Sequence, residues 1–173
     1  MDEHFTPPPY GDEKTMLLAF VNQQRAAVPW KLEGLTDEQL RMPHQPSGMS
    51  LLGLLKHLIH VEETWFVGRM LGEPVTRAPN DPEAWTANDE DSFDALRAWY
   101  LTVSQRSDEI TRNMALDQLT AVHSRTYGPV SLQWILLHMI EEIARHLGHA
   151  DFIRESIDGA TGVNPVYEKK RRR

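Results

Sequence analysis

The sequence predicts an all-α protein built as a four-helix bundle. Three observations carry that expectation. Apolar residues recur at helical spacing in four long runs. Asp12, Ser50, Ser92 and Ser131 each stand where a side-chain oxygen can cap the start of one run. No segment of useful length alternates as a strand would, and no internal repeat is visible.

The first helix, near 12–33, starts at Asp12 and runs through "TMLLAFVNQQRAAV", and Pro29 is expected to kink or end it. "LEGLTDEQL" follows as a turn and a short helical piece, and "HQPSGM" as a loop. Ser50 caps the second helix, near 50–71, which Gly72 and Pro74 bring to a stop. Residues 73–91, "EPVTRAPNDPEAWTANDED", form a long loop, the crossover between the second and third helices. The third helix, near 92–113, places Phe93, Leu96, Tyr100, Val103 and Ile110 on one face. Ser131 caps the last helix, near 131–157, and "DGATG" stops it.

A chain of 173 residues, 40% hydrophobic and 25% charged, suits one globular domain over 1–173, with 1–11 and 160–173 as flexible ends. It has no cysteine, which excludes disulfides and any protein thiol nucleophile. Thiol chemistry would have to use an external thiol. A net charge of −7 argues against nonspecific nucleic-acid binding by the folded part, and the basic "KKRRR" tail reads as a solvated end. The N-terminus lacks the basic and apolar regions of a secretion signal, and no apolar run reaches membrane-spanning length, so a cytoplasmic location without membrane contact is expected. Trp30, Trp65, Trp85, Trp99 and Trp134 read as core or interface anchors, which raises the expectation of a homodimer. His4, His44 and His123 fall in loops or ends and read as surface groups.

The last helix asks a sharper question. "HMIEEIARHLGHADF" carries three histidines and two glutamates. Leu132, Leu136, Met139, Ile143, Leu147 and Ala150 form the apolar stripe, and His138, Glu142 and His146 follow one another a turn apart along its border. Glu142 and His146, at i and i+4, can chelate, since their side chains leave the helix on one face about 6 Å apart. A carboxylate with an imidazole suits zinc, iron or nickel. The ordinary alternative is that Glu142 pairs with an arginine such as Arg145. Glu141 falls on the far side and should be solvated.

"GLLKHLIHVEETWF" in the second helix adds His57, at the edge of the stripe of Leu51, Leu55, Leu58 and Trp65. His60 points nearly opposite that stripe, beside Lys56 and Glu63, and reads as exposed or as part of an interface. Glu62 falls inside the stripe, where a carboxylate needs a partner. Either it pairs with Arg25 or Arg145, or it orients a histidine beside a metal.

"SLLGLLKHLIHVEETWF" and "SLQWILLHMIEEIARHLGHADFIRESIDG" resemble the two signature segments of the DinB-like superfamily of metal-binding helical bundles. The ligand pattern is similar to that of the branch of mycothiol-dependent maleylpyruvate isomerase. The resemblance implies a metal held by His57, Glu142 and His146, with Glu142 where much of the superfamily has a histidine. Glu62, His138 and Arg145 are then candidates for groups that support those three. Enzymes of this kind use a low-molecular-weight thiol such as mycothiol, which the metal holds as thiolate, to act on a small-molecule substrate.

Three function classes follow. One is a metal-dependent transferase or isomerase that uses a thiol, with zinc as the expected metal and nickel or iron as alternatives. Another is a non-catalytic metal-binding or stress-response protein. The third is a metal-dependent hydrolase. No glycine-rich phosphate loop and no Ser/His/Asp set stands out.

Overall fold

The computed structural model describes residues 6–44 and 46–162, and among them the protein is all-α, with no strand beyond three isolated bridges. The helices are α1 (Glu13–Leu32), α2 (Asp37–Arg41), α3 (Leu51–Glu62), α4 (Phe93–Asn113) and α5 (Leu132–Asp158). The basic tail, His4 and most of the two expected flexible ends lie outside the described residues. Among the described residues, no helix is long and apolar enough to cross a membrane.

The starts of the long helices follow local chemistry. The side chains of Asp12, Ser50, Ser92 and Ser131 accept from the backbone N–H of Thr15, Gly53, Ala95 and Trp134, each satisfying a donor that the first turn leaves free. Thr36 and Gln39 close a reciprocal capping box on α2. Gly72 and Gly159 stop their helices in the left-handed region, at φ 75° and 72°.

α1 passes through Pro29 and continues over Trp30, Lys31 and Leu32, to the bound the sequence predicts. A proline this near a C-terminus removes one intrahelical hydrogen bond, while Lys31 and Leu32 stay buried and hold the last turn. The second helical run is not α-helical throughout: α3 passes at Glu63 into a π-helical segment, Glu63–Leu71. Such wider turns rotate the following side chains relative to an ideal α-helix, so 3.6-residue spacing loses register there.

α1 packs mainly on α5, and α3 on α4, while α3 also meets α1, α2, α5 and a short 3₁₀ turn, Pro82–Ala84, from the long loop. All twelve residues of α3 are buried. A helix covered on every side can be apolar on every side, and "LLGLLKHLIHVE" nearly is.

That environment corrects His60. It is 1% exposed, edge-on to Trp99 of α4 with ring centroids 5.2 Å apart. The rotation about α3 inferred from the sequence puts His60 away from the first stripe, but a second layer, α4, covers that side as well.

Candidate metal centre

α3 and α5 each bring part of the site. His57 comes from the middle of α3; Glu142 and His146 come from consecutive turns of α5. One donor atom of each lies within 4.8 Å of the other two. Glu142 Oε1 is 3.4 Å from His57 Nε2 and 3.2 Å from His146 Nε2. Donors about 2.0–2.1 Å from one tetrahedral ion stand about 3.3–3.4 Å from each other, so this spacing fits a shared cation.

The tautomer of His57 strengthens the fit. Its Nδ1 lies 3.2 Å from the carbonyl oxygen of Pro79, which can only accept, so Nδ1 carries the hydrogen. In the neutral ring, Nε2 then presents a lone pair to a carboxylate oxygen. Two lone pairs facing each other call for a cation between them, either a proton on Nε2 or a metal. Burial opposes the proton: it holds His57 below the ordinary imidazole range, and the hydrogen bond to Glu142 only partly offsets it. The two imidazoles facing it, His146 first and then His57, hold the Glu142 carboxyl far below the usual carboxylate range, so it stays anionic.

His146 is buried and uses both ring nitrogens: Nε2 faces Glu142, and Nδ1 lies 3.4 Å from Nδ1 of exposed His149. Two neutral imidazoles and one carboxylate would leave a divalent ion with a charge of about +1, enough to attract an anion.

The supporting residues expected from sequence fare differently. Arg145 Nη1 lies 3.7 Å from Glu142 Oε2, while its Nη2 pairs with exposed Glu141. Glu62 hydrogen-bonds to none of the three candidate ligands. Its two oxygens accept from Arg25 Nε and Nη2 at 2.6 and 2.9 Å, and Ser107 Oγ donates at 2.8 Å. The buried arginine takes it because a carboxylate at 0% exposure needs a full charge partner nearby. His138 likewise makes no hydrogen bond to the three. It stacks on Trp134 at 5.1 Å and meets Trp65 edge-on at 4.9 Å, which turns its ring along α5 toward the preceding turn.

Two contacts to the site are not foreseen from the sequence, which marks Trp85 only as a core or interface anchor. The Pro79 carbonyl fixes the His57 tautomer, and the Trp85 ring stacks on His57 at 3.5 Å. Both belong to the long loop. One signal was present: "PEAW" puts a large aromatic in an otherwise polar stretch.

No curated protein matches the sequence. The model of the mycothiol-S-transferase family matches residues 16–159, which reach from the first turn of α1 past the end of α5 and include His57, Glu142 and His146. The chain belongs to the mycothiol-S-transferase family, a DinB-like family related to mycothiol enzymes.

Proposed function

We propose that the protein is a metal-dependent enzyme, a transferase or isomerase that acts on a small molecule with a low-molecular-weight thiol such as mycothiol. His57, Glu142 and His146 are its metal ligands, and zinc is the metal that suits a set of two imidazoles and a carboxylate. The observation that carries the reading is the Glu142 carboxylate oxygen set between two imidazole Nε2 atoms at 3.4 and 3.2 Å. The family match supports the choice of a thiol.

Each residue has a distinct task. Pro79 accepts the Nδ1 hydrogen of His57 and leaves Nε2 free to donate its lone pair. Glu142 supplies the anionic donor. His146 completes the set from the next turn of α5, with its Nδ1 turned to His149. With these three side chains as ligands, a bound divalent metal would have room for a further ligand and would supply the charge that ionises a thiol. The absence of cysteine leaves no thiol of the chain to compete for that place.

The scaffold belongs to the same proposal: a single-domain, DinB-like four-helix bundle with residues 73–91 as the crossover. The buried packing of α3 against α1, α4 and α5 supports it.

Elemental analysis of protein purified without a polyhistidine tag tests the metal, and zinc near one equivalent is expected. Thiol titration of the cobalt-substituted protein tests the reaction class, since direct thiolate coordination adds a charge-transfer band. Turnover of esters or amides without thiol would instead establish a hydrolase. Metal binding with neither response would leave a binding protein and overturn the enzyme reading.

A further inference from the structure

Trp85 sits in the loop after the Pro82–Ala84 turn, outside every long helix, yet its ring lies flat on His57. The centroids are 3.5 Å apart and the planes 16° from parallel. The same ring meets His146 edge-on at 5.4 Å. Its Nε1–H donates at 3.1 Å to the Pro79 carbonyl, the oxygen that also accepts from His57 Nδ1. Indole and imidazole thus share one acceptor and one stacked face.

The loop is pinned where this requires it. A Cβ added to Gly53 would overlap the Trp85 carbonyl oxygen, so a glycine on α3 is what lets the loop backbone lie this close. Lys56, one turn away, donates to the Thr86 carbonyl at 3.1 Å and to Asp91 Oδ2 at 2.7 Å. Asp81 caps the turn that precedes Trp85 through the Glu83 N–H.

We infer that Trp85, seated by Gly53, is a positioning residue that fixes the ring plane of His57 so that Nε2 faces Glu142. The inference rests on the reading of His57 as a metal ligand. A single hydrogen bond to Pro79 sets which nitrogen carries the hydrogen, but it leaves the imidazole free to tilt about that bond. A face-to-face indole removes the tilt. Groups that orient a ligand in this way alter metal affinity without touching the ion.

The test is zinc affinity of the full chain, measured by competition with a chromophoric chelator, together with the ligand-field spectrum of the cobalt form. Trp85→Ala and Gly53→Ala should each weaken zinc about 10-fold or more and shift the cobalt bands. Trp85→Phe keeps a stackable ring and should stay within about threefold of wild type. If Trp85→Ala does not fold, Trp85→Leu takes its place, because it fills volume without offering an aromatic face. Wild-type affinity and spectrum in the folded Ala or Leu variant, even with a lowered unfolding midpoint, would mean that Trp85 only packs, and would overturn the inference. A wild-type protein that takes up neither zinc nor cobalt would overturn the ligand reading first and this inference with it.

Discussion

His57 Nε2 stands 3.4 Å from Glu142 Oε1 although 85 positions separate the two residues in the chain. Only the packing of α3 against α5 brings them together. Because the Pro79 carbonyl claims the other nitrogen of His57, the two facing atoms are both electron-pair donors unless a cation lies between them.

Glu142→Gln should therefore weaken zinc binding on the order of 100-fold or more, beyond the ~10–100-fold typical of groups that merely orient a ligand. Glu141→Gln, one residue away and exposed, should leave affinity unchanged and stability within about 0.5 kcal/mol. Chelator-stripped and remetallated proteins provide the comparison. Equal affinities in the two variants would sink the assignment of Glu142.

Acid should destabilise the metal-free protein in two stages. Burial holds His57 below its ordinary value of 6.5, and the two imidazoles facing it, His146 first, hold Glu142 below its ordinary 4.5. In both cases the unfolded chain takes up the proton more readily than the folded one. The stability these groups contribute is thus complete above about pH 6.5, and declines as pH falls below that value through His57 and below about 4.5 through Glu142. Urea unfolding across pH 4 to 8 measures it. His57→Gln should flatten the upper stage, and a stability that rises between pH 7 and 5 would contradict the account.

The buried pair of Arg25 and Glu62 should matter for folding and not for metal. Both side chains are at 0% exposure, and Arg25 Nη1 also reaches Asp108 Oδ1 at 2.6 Å. Glu62→Gln leaves the guanidinium short of a charge partner and should cost about 3–5 kcal/mol. Zinc affinity of the protein that remains folded should stay within a few-fold of wild type. Lost metal content without lost stability would return Glu62 to the role of orienting a histidine.

His60 offers a control on the same helix. Among the described residues neither ring nitrogen has a hydrogen-bond partner, and Nδ1 is 3.6 Å from Glu63 Oε2. His60→Phe replaces an unsatisfied polar ring by an apolar one and should leave stability within about 1 kcal/mol, or raise it. His60→Ala opens a cavity and should cost about 2–4 kcal/mol. Neither should change metal content. A site emptied by His60→Ala but not by His57→Ala would reverse the assignment of the two histidines.

Helix starts and the Glu142–His146 pair were legible because each depends on atoms within one turn. Ser50 caps Gly53, Ser131 caps Trp134, and residues four apart share a helix face whatever surrounds them. Glu62 is legible in part: its place in the stripe of α3 demands a partner, and Arg25 is one of the two arginines the sequence offers. The π-helical turns after Glu62 left no comparable mark, since a run read at 3.6-residue spacing does not reveal where the pitch widens.

By itself, then, the sequence determined where the long helices begin and which polar residues share a face of α5. The tertiary structure alone decided what covers each face. Periodicity alone makes His60 an exposed residue, because it gives rotation about one axis and says nothing of a second helix packed on the far side. The sequence marks Trp85 only as a core or interface anchor and does not mark Pro79, because a loop has no period to read. They reach His57 only where Gly53 admits the loop backbone against α3. Periodicity is a property of one segment, whereas burial and ligand geometry are properties of several segments packed together, and packing sets them.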